Sequence, residues 1–278
     1  MGNKILNLAG IDLDLSVPKV MGVVNFDKNS FYTGSRVGNI NDLNKKIDQM
    51  VEDGVDILDL GATSSRPGSN ISDPEKEIEI LLPYIKIIRS RYPKLILSVD
   101  TYHSKVVRVC IQEGINLIND ISAGEIDSSI FNEIIKEKVG YVLMHMRGLP
   151  NNMQQNVEYD NLLVEITNFF SNKLEYLEER GVENIIIDPG IGFGKSLESN
   201  YKIIKKMNYF NNFDCPLLVG ISRKSLIQKL LKVGPDNALN GTTALHMLCL
   251  NNGANILRAH DVKEAKEAIK IWRYYVSI

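Results

Sequence analysis

The sequence has few cysteines, no long apolar run and almost no net charge. Cys110, Cys215 and Cys249 are odd in number, lie far apart and form no CxxC pair. They exclude a disulfide framework and a thiolate metal site, and are typical of a reducing compartment. No apolar run approaches the roughly 18 residues of a membrane helix, and the N-terminus is too polar for a signal peptide. We therefore expect a cytoplasmic protein with no membrane contact.

The charge is balanced, with 32 Lys and Arg residues against 34 Asp and Glu residues. This balance provides no field that would hold nucleic acid or an anionic membrane, so a bound anion must be held by local groups. The 278 residues are 44% hydrophobic and 24% charged, which excludes disorder as the overall state.

Short apolar runs rich in β-branched residues alternate with longer segments that have helical periodicity. Continuous apolar strands indicate a parallel sheet that helices cover on both faces. The runs are Val20–Asn25, Val55–Leu60, Leu95–Asp100, Asn116–Ile121, Gly140–His145, Asn184–Asp188, Pro216–Ile221 and Asn255–His260. Eight such units predict an α/β protein with a closed (β/α)8 TIM barrel, and an open doubly wound sheet is the alternative.

Residues 5–15 alternate apolar and polar positions around Ala9-Gly10, which predicts a β-hairpin at the barrel floor. There is no linker, low-complexity tract or second repeat. We therefore expect residues 1–278 to form a single domain.

Polar side chains end almost every predicted strand, and all of them should lie at one mouth of the barrel. A single strand-end Asp or Asn often only caps the next helix. Polar groups at seven strand ends together indicate an active site, because barrel enzymes place their working residues there. They are Asn25, Asp100, Asn119, Asp120, His145, Asp188, Ser222, Arg223, Lys224, Arg258 and His260.

These groups divide into two chemical sets. Asp100, Asn119 and Asp188 suit a flat heterocycle with amino and ring N–H donors. The second set suits phosphate oxygens, although salt bridges across the barrel top would also explain its cations. It comprises Asn25, Lys224, Arg258 and His260. Met144 and His145 are expected to line the pocket wall, with His145 structural.

No metalloprotease or serine-hydrolase motif is present, and no carboxylate pair indicates acid–base work. A site rich in recognition groups but poor in bases favours a leaving group that departs as a stabilised anion. Pyrophosphate, bound by cations and Mg²⁺, is such a group.

Eight ordered segments carry a resemblance to a known family. They are MGVVNFDKNSF, SSRPGS, LSVDT, LINDISAG, LMHMRGLPNNMQ, IIIDPGIGFGK, VGISRKS and LRAHDV. From Met21 to Val262 the sequence resembles dihydropteroate synthases. The resemblance implies a transferase of folate biosynthesis, a sulfonamide target, that joins hydroxymethyl-dihydropterin pyrophosphate to p-aminobenzoate. It also implies Mg²⁺ and a homodimer.

The resemblance also implies roles for individual residues. The pterin pyrophosphate would be bound by Ser65, Asp100, Asn119, Asp188, Lys224, Arg258 and His260. The p-aminobenzoate site would be bordered by Phe31, Arg66, Pro67, Phe193, Lys224 and Ser225. Asn25 would contact the Mg²⁺ ion, and Lys224, Arg258, His260 and Asn25 would be the catalytic set.

The first loop departs from the family's pattern. Asn29 and Thr33 replace two family aspartates, and Asp27 is new and would replace one lost charge. These changes leave three alternatives open: a non-catalytic pterin-binding paralogue, a pterin-dependent methyltransferase domain, and a variant adapted to exclude sulfonamides.

Overall fold

The structure is a computed structural model that describes residues 5–26, 40–62, 69, 71–155 and 157–278. The strands are β1 (Ile5–Leu8), β2 (Ile11–Asp14), β3 (Lys19–Asn25), β4 (Ile57–Gly61), β5 (Ile96–Asp100), β6 (Leu117–Asp120), β7 (Gly140–Met144), β8 (Ile185–Asp188), β9 (Leu218–Val219) and β10 (Ile256–Ala259). The helices are α1 (Ile40–Glu52), α2 (Pro74–Arg91), α3 (Ser104–Gln112), α4 (Ile130–Glu137), α5 (Leu162–Glu178), α6 (Leu197–Lys205), α7 (Ser225–Leu231), α8 (Leu239–Asn251) and α9 (Val262–Ser277). Short 3₁₀ helices cover Met207–Asn212 and Pro235–Asn237.

Strands β3 to β10 form one parallel sheet in the order β8-β7-β6-β5-β4-β3-β10-β9. A parallel bridge between Ile187 and Leu217 joins its two ends. The predicted (β/α)8 barrel is therefore confirmed, and the open sheet is wrong. Strand β9 is shorter than the run from Pro216 to Ile221, because regular pairing there is limited to Leu218 and Val219 with β10.

The N-terminal hairpin lies at the barrel floor, as predicted. Strands β1 and β2 pair antiparallel, and Ala9 and Gly10 turn between them with positive φ angles of 49° and 86°. The hairpin leucines pack against the first inward-facing residue of each barrel strand. This cluster comprises Leu6, Leu8, Leu13, Leu15, Met21, Ile57, Ile96, Leu117, Val142, Ile186, Leu218 and Ile256.

Five of the eight barrel strands turn polar one layer above this apolar floor. Successive side chains of a strand alternate between its two faces, so the residue two positions further on also faces inward. That second layer comprises Val23, Asp59, Ser98, Asn119, Met144, Asp188, Gly220 and Arg258. The floor excludes water from below, and the polar layer above it forms the base of the site.

The helices cover the outside of the barrel, and their ends follow local sequence signals. In α2, the Asp73 side chain accepts a hydrogen bond from the backbone N–H of Glu75, and Pro74 stands at the first turn. Leu81, Ile85 and Ile88 form its buried face. Burial of such apolar stripes against the strands holds the helical ring in place.

No helix within the described ranges is long and apolar enough to cross a membrane. Cys110, Cys215 and Cys249 form no disulfide among the described residues, and Cys110 and Cys249 are buried.

His246 in α8 makes part of the folding free energy dependent on pH. It is 2% exposed, and burial lowers its pKa to about 4 against the opposing charge of Asp261. In the unfolded chain this histidine binds a proton near pH 6.5. The contribution of His246 to the free energy of unfolding is therefore complete above pH 6.5 and is lost as the pH falls towards 4, because protonation favours the unfolded chain.

We expect His246→Gln to lose less stability than the wild type between pH 6.5 and 4.5, by about 2 kcal/mol. Urea unfolding at the two pH values measures the difference, and other titrating groups cancel in the comparison. Equal losses in both proteins would show that His246 is not held neutral by the fold.

Candidate active site

The centre of the barrel mouth is one guanidinium held between two carboxylates. Arg258 Nε donates to Asp59 Oδ2 at 2.7 Å, and its Nη2 lies 2.7 Å from Asp100 Oδ2 and 2.6 Å from Asp59 Oδ2. Asp59 also accepts hydrogen bonds from Ser98 Oγ at 2.7 Å and from Asn119 Nδ2 at 3.0 Å. These contacts leave Nη1 of Arg258 as the guanidinium nitrogen that can serve an anion.

Asn119 and Asp188 are both buried in the second inward layer, at 4% and 6% exposure. Asp188 Oδ1 accepts a hydrogen bond from the Gly190 backbone N–H at 2.7 Å. Burial raises the pKa of Asp188, while the charges of Lys224, Lys195 and Arg258 act in the opposite direction. A carboxylate in this position is a strong acceptor for a ligand with paired N–H donors.

Lys224 connects the acceptor set to the loop after β8. Its Nζ donates to the backbone oxygen of Ile191 at 2.7 Å and lies 4.5 Å from the centroid of the Phe193 ring. Burial lowers the pKa of Lys224 to about 8, and the charges of Asp188 and Asp100 oppose this effect. At neutral pH the ammonium therefore remains mostly charged beside a buried aromatic wall.

The wall around this site is apolar. Phe193 belongs to a cluster at the barrel mouth with Tyr102, Ile121, Met144 and Met153. Met144, which we expected on the pocket wall, lies in this cluster. The site thus combines a flat apolar wall with inward acceptors, which is what a planar heterocycle needs.

A buried lysine holds the glycine-rich loop against the end of β7. Lys195 Nζ is hydrogen-bonded to His145 Nδ1 at 3.1 Å and to the backbone oxygens of His145 at 3.2 Å, Gly190 at 3.0 Å and Phe193 at 3.0 Å. Burial lowers the pKa of Lys195 to about 7. Burial also lowers the pKa of His145 to about 2, so the imidazole is neutral and has the structural role that we expected.

The loop has no room for a larger residue at Gly190. Its φ angle is +66°, and a Cβ atom there would lie 1.9 Å from the backbone oxygen of His145. The close approach of the two backbones is what brings both carbonyls within reach of Lys195.

The anion-binding candidates lie on the β3 and β10 side of the mouth. Asn25 ends β3, and His260 directly follows β10, whose Arg258 is in register with Met21 of β3. The His260 backbone N–H donates to Ser222 Oγ at 3.2 Å. Burial lowers the pKa of His260 to about 3, helped by the charges of Lys46, Arg258, Arg223 and Lys224. The imidazole is therefore neutral in a region of positive potential.

The described strand-end residues lie at one mouth of the barrel, as predicted. The acceptor set and the cation set, however, are joined by direct contacts. Arg258 bridges to Asp100, so the acceptor and cation sets are not separate. The salt bridge considered as the alternative for the cations is thus present at Arg258. Asp120 and Arg223 have structural contacts instead: Asp120 accepts from Ser122, Gly124 and Tyr141.

Several predicted site residues fall outside the described residues. These are Phe31, Ser65, Arg66, Pro67, and the altered first-loop positions Asp27, Asn29 and Thr33. The described p-aminobenzoate candidates are Phe193, which is buried beside Lys224, and Ser225, which is exposed at the start of α7.

Sequence reasoning missed Asp59 and Lys195. Asp59 is fully buried and lies inside its strand rather than at its end. The alternation of side-chain direction along a strand could have identified Asp59, because it is two residues after Ile57 and must face the same side of the sheet. Lys195 had no such signal, since its four acceptors come from two loops that meet only in the folded barrel.

Within the described ranges, no cluster of three or more His, Cys, Asp or Glu side chains could hold a metal ion. Mg²⁺, however, often uses only one or two protein oxygens together with substrate phosphates and waters. The side-chain amide oxygen of Asn25, part-exposed at the end of β3, fits that mode. This mouth can therefore bind a planar ring on one side and a phosphorylated group on the other.

The chain matches the family described as pterin binding enzyme over residues 21–260. It is 36% identical to the dihydropteroate synthase of Escherichia coli K12 over 264 residues, covering 94% of this chain and 93% of that protein. It is 38% identical over 261 residues to the bifunctional dihydropteroate synthase/dihydropteroate reductase of Helicobacter pylori, covering 93% of this chain and 68% of that protein.

Solved structures give the same likeness. The Yersinia pestis dihydropteroate synthase, in complex with a sulfonamide drug, aligns with a TM-score of 0.93 at 34% identity over 99% of both chains. The Xanthomonas albilineans enzyme with 4-aminobenzoic acid aligns with a TM-score of 0.91 at 31% identity over 100% of both chains. The Coxiella burnetii enzyme with pteroic acid aligns with a TM-score of 0.89 at 32% identity over 98% of both chains.

Proposed function

The chain belongs to the dihydropteroate synthases of the pterin binding enzyme family, and we propose how its residues divide the work of that reaction. The reaction joins 6-hydroxymethyl-7,8-dihydropterin pyrophosphate to p-aminobenzoate and yields 7,8-dihydropteroate and pyrophosphate for folate synthesis. The observation that carries our assignment is the guanidinium of Arg258, which lies between the buried acceptors and the anion-binding side of the mouth.

The pterin ring binds on the inward acceptors. Asp188 and Asn119 receive the ring's amino and N–H donors, and Asp100 with its Arg258 partner borders the ring from β5. Met144, from the apolar cluster at the mouth, packs on the ring's face. The ring is thereby oriented with its hydroxymethyl carbon towards Arg258 and His260.

Pyrophosphate leaves as the bond between the hydroxymethyl carbon and the diphosphate oxygen breaks. The electron pair goes to that oxygen, and positive charge spreads over the pterin ring. Arg258, through Nη1, and His260 stabilise the departing anion. The p-aminobenzoate nitrogen then attacks the carbon and loses one proton to water, so no strong base is needed from the protein.

Mg²⁺ would be held by the Asn25 amide oxygen together with the substrate's phosphate oxygens. When bound, the ion supplies charge that stabilises the pyrophosphate leaving group. Asn25, Arg258 and His260 thus surround one region from β3 and β10, which are hydrogen-bonded neighbours.

The p-aminobenzoate ring packs against Phe193 and Lys224, which lie side by side, with Ser225 at the edge of its site. Lys224 also bonds the Ile191 carbonyl, so the ammonium and the glycine-rich loop are placed together. Phe31, Ser65, Arg66 and Pro67 complete this assignment on the resemblance alone.

The experiment that tests the proposal is an Mg²⁺-dependent assay of dihydropteroate formation with both substrates supplied. We expect product from the wild type and about a 100-fold or larger loss for Lys224→Ala, because the charge beside Asp188 is removed. If the wild type binds the pterin tightly but forms no product, the non-catalytic paralogue becomes the better interpretation, since Asn29 and Thr33 alter the first loop.

Lys195→Met is expected to raise the KM for p-aminobenzoate about tenfold or more. Removing the ammonium leaves three backbone carbonyls and His145 Nδ1 without their shared donor, and Phe193 loses its fixed position. Steady-state kinetics with each substrate varied in turn would measure the change.

Lys202→Met, at an exposed position of α6, is the control and should keep both KM values. A Lys195→Met enzyme with a lower Tm but unchanged KM values would show that the hydrogen bonds of Lys195 only stabilise the fold.

We also propose that the chain acts as a homodimer in the cytoplasm. The end of α9 exposes several large apolar side chains, among them Ile271, Tyr274 and Tyr275, at 62%, 73% and 63%. Burial of this patch against a second copy would remove it from water. The absence of disulfides among the described cysteines agrees with a reducing compartment. Light scattering at micromolar concentration tests the oligomeric state.

A further inference from the structure

A groove of about 390 Å³ lies beside the anion-binding candidates, between α1 and the start of α9. The two helices follow β3 and β10, which are neighbours in the barrel. The groove therefore opens next to the end of β10, where His260 stands. Its lining residues are Lys46, Gln49, Met50, Asp53, His260, Asp261, Val262, Lys263 and Glu264.

Lys46 has a buried ammonium for which the described residues provide no acceptor. Its Nζ atom is shielded from solvent and makes no hydrogen bond to any residue that the structure describes. Burial lowers the pKa of Lys46 to about 8. A desolvated ammonium without an acceptor destabilises the folded protein, because its lost hydration is not replaced. A ligand with an anionic oxygen could supply the missing acceptor for the Lys46 ammonium.

The acid whose charge acts on Lys46 is already engaged with another residue. The charge of Asp261 acts on Lys46, but Asp261 accepts two hydrogen bonds from Arg223, from Nε at 2.8 Å and from Nη2 at 2.9 Å. This bidentate pair uses both carboxylate oxygens in fixed geometry. Asp261 therefore does not form a hydrogen-bonded ion pair with Lys46, and the ammonium can bind another anion.

The charge of Lys46 reaches the anion-binding candidates. Among the charged side chains that act on His260, Lys46 has the largest effect, ahead of Arg258, Arg223 and Lys224. Lys46 and His260 line the same groove, and the ammonium adds to the positive potential from Arg258 and Lys224. The flexible four-carbon stem of lysine lets Nζ move within the groove towards a ligand.

We propose that Lys46 is a further anion-binding residue, whose ammonium takes a terminal phosphate oxygen of the pterin pyrophosphate as its acceptor beside His260. This inference rests on the proposed placement of the pyrophosphate at Arg258 and His260. The terminal phosphate projects from the pterin ring towards β10 and α1, and Lys46 meets it from the helix side of the mouth.

This role predicts opposite effects on binding and on stability. Lys46→Met keeps the length and apolar character of the stem and removes the unpaired charge. The free protein should therefore unfold at the same or a higher temperature, whereas a lysine with a purely structural role would leave a less stable fold when replaced. Lys46→Arg keeps the charge and should retain phosphate binding.

The test compares the wild type with Lys46→Met, Lys46→Arg and the control Lys45→Met, whose lysine is exposed on the same helix. Calorimetry with inorganic pyrophosphate and Mg²⁺ should give a Kd about tenfold or more higher for Lys46→Met. Binding of the pterin alcohol, which has no phosphate, should stay within twofold. Lys45→Met should match the wild type in both titrations.

Two results would overturn the inference. One is a pyrophosphate Kd that Lys46→Met leaves unchanged, and the other is an equal weakening of the pterin alcohol and pyrophosphate. If the wild type bound no pyrophosphate, or if Arg258→Met bound it as well as the wild type, the proposed placement at Arg258 and His260 would itself be wrong. Failure of the inference and failure of the proposed function are thereby distinguished.

Discussion

Arg258→Met is expected to lower kcat/KM for dihydropteroate formation about 1,000-fold or more, and to destabilise the fold by about 3–5 kcal/mol. The guanidinium is the counter-charge of Asp59 and Asp100, and Asp59 is fully buried. Removing it leaves two carboxylates close together in the barrel without a cation. The same change removes Nη1, the nitrogen that we assign to the pyrophosphate.

A double variant separates these two effects. In Arg258→Met with Asp59→Asn, one of the uncompensated carboxylates becomes a neutral amide that can still bond to Ser98 and Asn119. We expect urea unfolding to show that part of the lost stability returns, while activity stays low. If the double variant recovered both, Arg258 would act only in folding.

Asp188→Asn is expected to raise the Kd for the pterin substrate about 100-fold. The amide has nearly the same shape as the carboxylate, and its oxygen can still accept from the Gly190 N–H at 2.7 Å. The loop therefore stays in place. What is lost is the charge that strengthens hydrogen bonds to the ring's donors, at about 1.5–3 kcal/mol for each bond.

The measurement is calorimetric titration with the pterin substrate, together with the KM for p-aminobenzoate. We expect the KM for p-aminobenzoate to change less than threefold, because that ring binds on the Phe193 side. Asp160→Asn, at an exposed position before α5, is the matched control. If the pterin Kd were unchanged, or if p-aminobenzoate binding were weakened instead, Asp188 would not be one of the residues that bind the pterin ring.

Much of the barrel could be predicted because its signals are local. In runs such as Gly140–His145 every position before the last lacks a charged or amide side chain, as expected of a strand buried on both faces. The polar residue at or near the end of most runs, such as Asn25 or Asp188, then marks the mouth by topology alone. The assignment failed where a polar residue lay inside a run, as with Asp59, because only strand ends were considered.

Roles among the strand-end residues could be separated only in part. Asp120 and Asp188 look equivalent in sequence, since each ends a strand and precedes a glycine-containing turn. In the structure Asp120 uses its oxygens on Ser122, Gly124 and Tyr141, whereas Asp188 faces the mouth beside Lys224. The alternation of faces along a strand decides this, because Asp188 lies two residues after the inward-facing Ile186, whereas Asp120 lies three residues after the inward-facing Leu117.

The sequence by itself determined the alternation of strands and helices, the hairpin below them and the polar mouth, since each follows from a periodicity within a few residues. Only the tertiary structure decided which charges meet. Arg258 and Asp59 are 199 residues apart, and their contact exists because β10 and β4 both pair with β3 in the barrel. Lys195 and Lys46 likewise have neighbours from separate βα units. The strength of a charge contact depends on distance and burial in three dimensions, and neither quantity is written in local sequence.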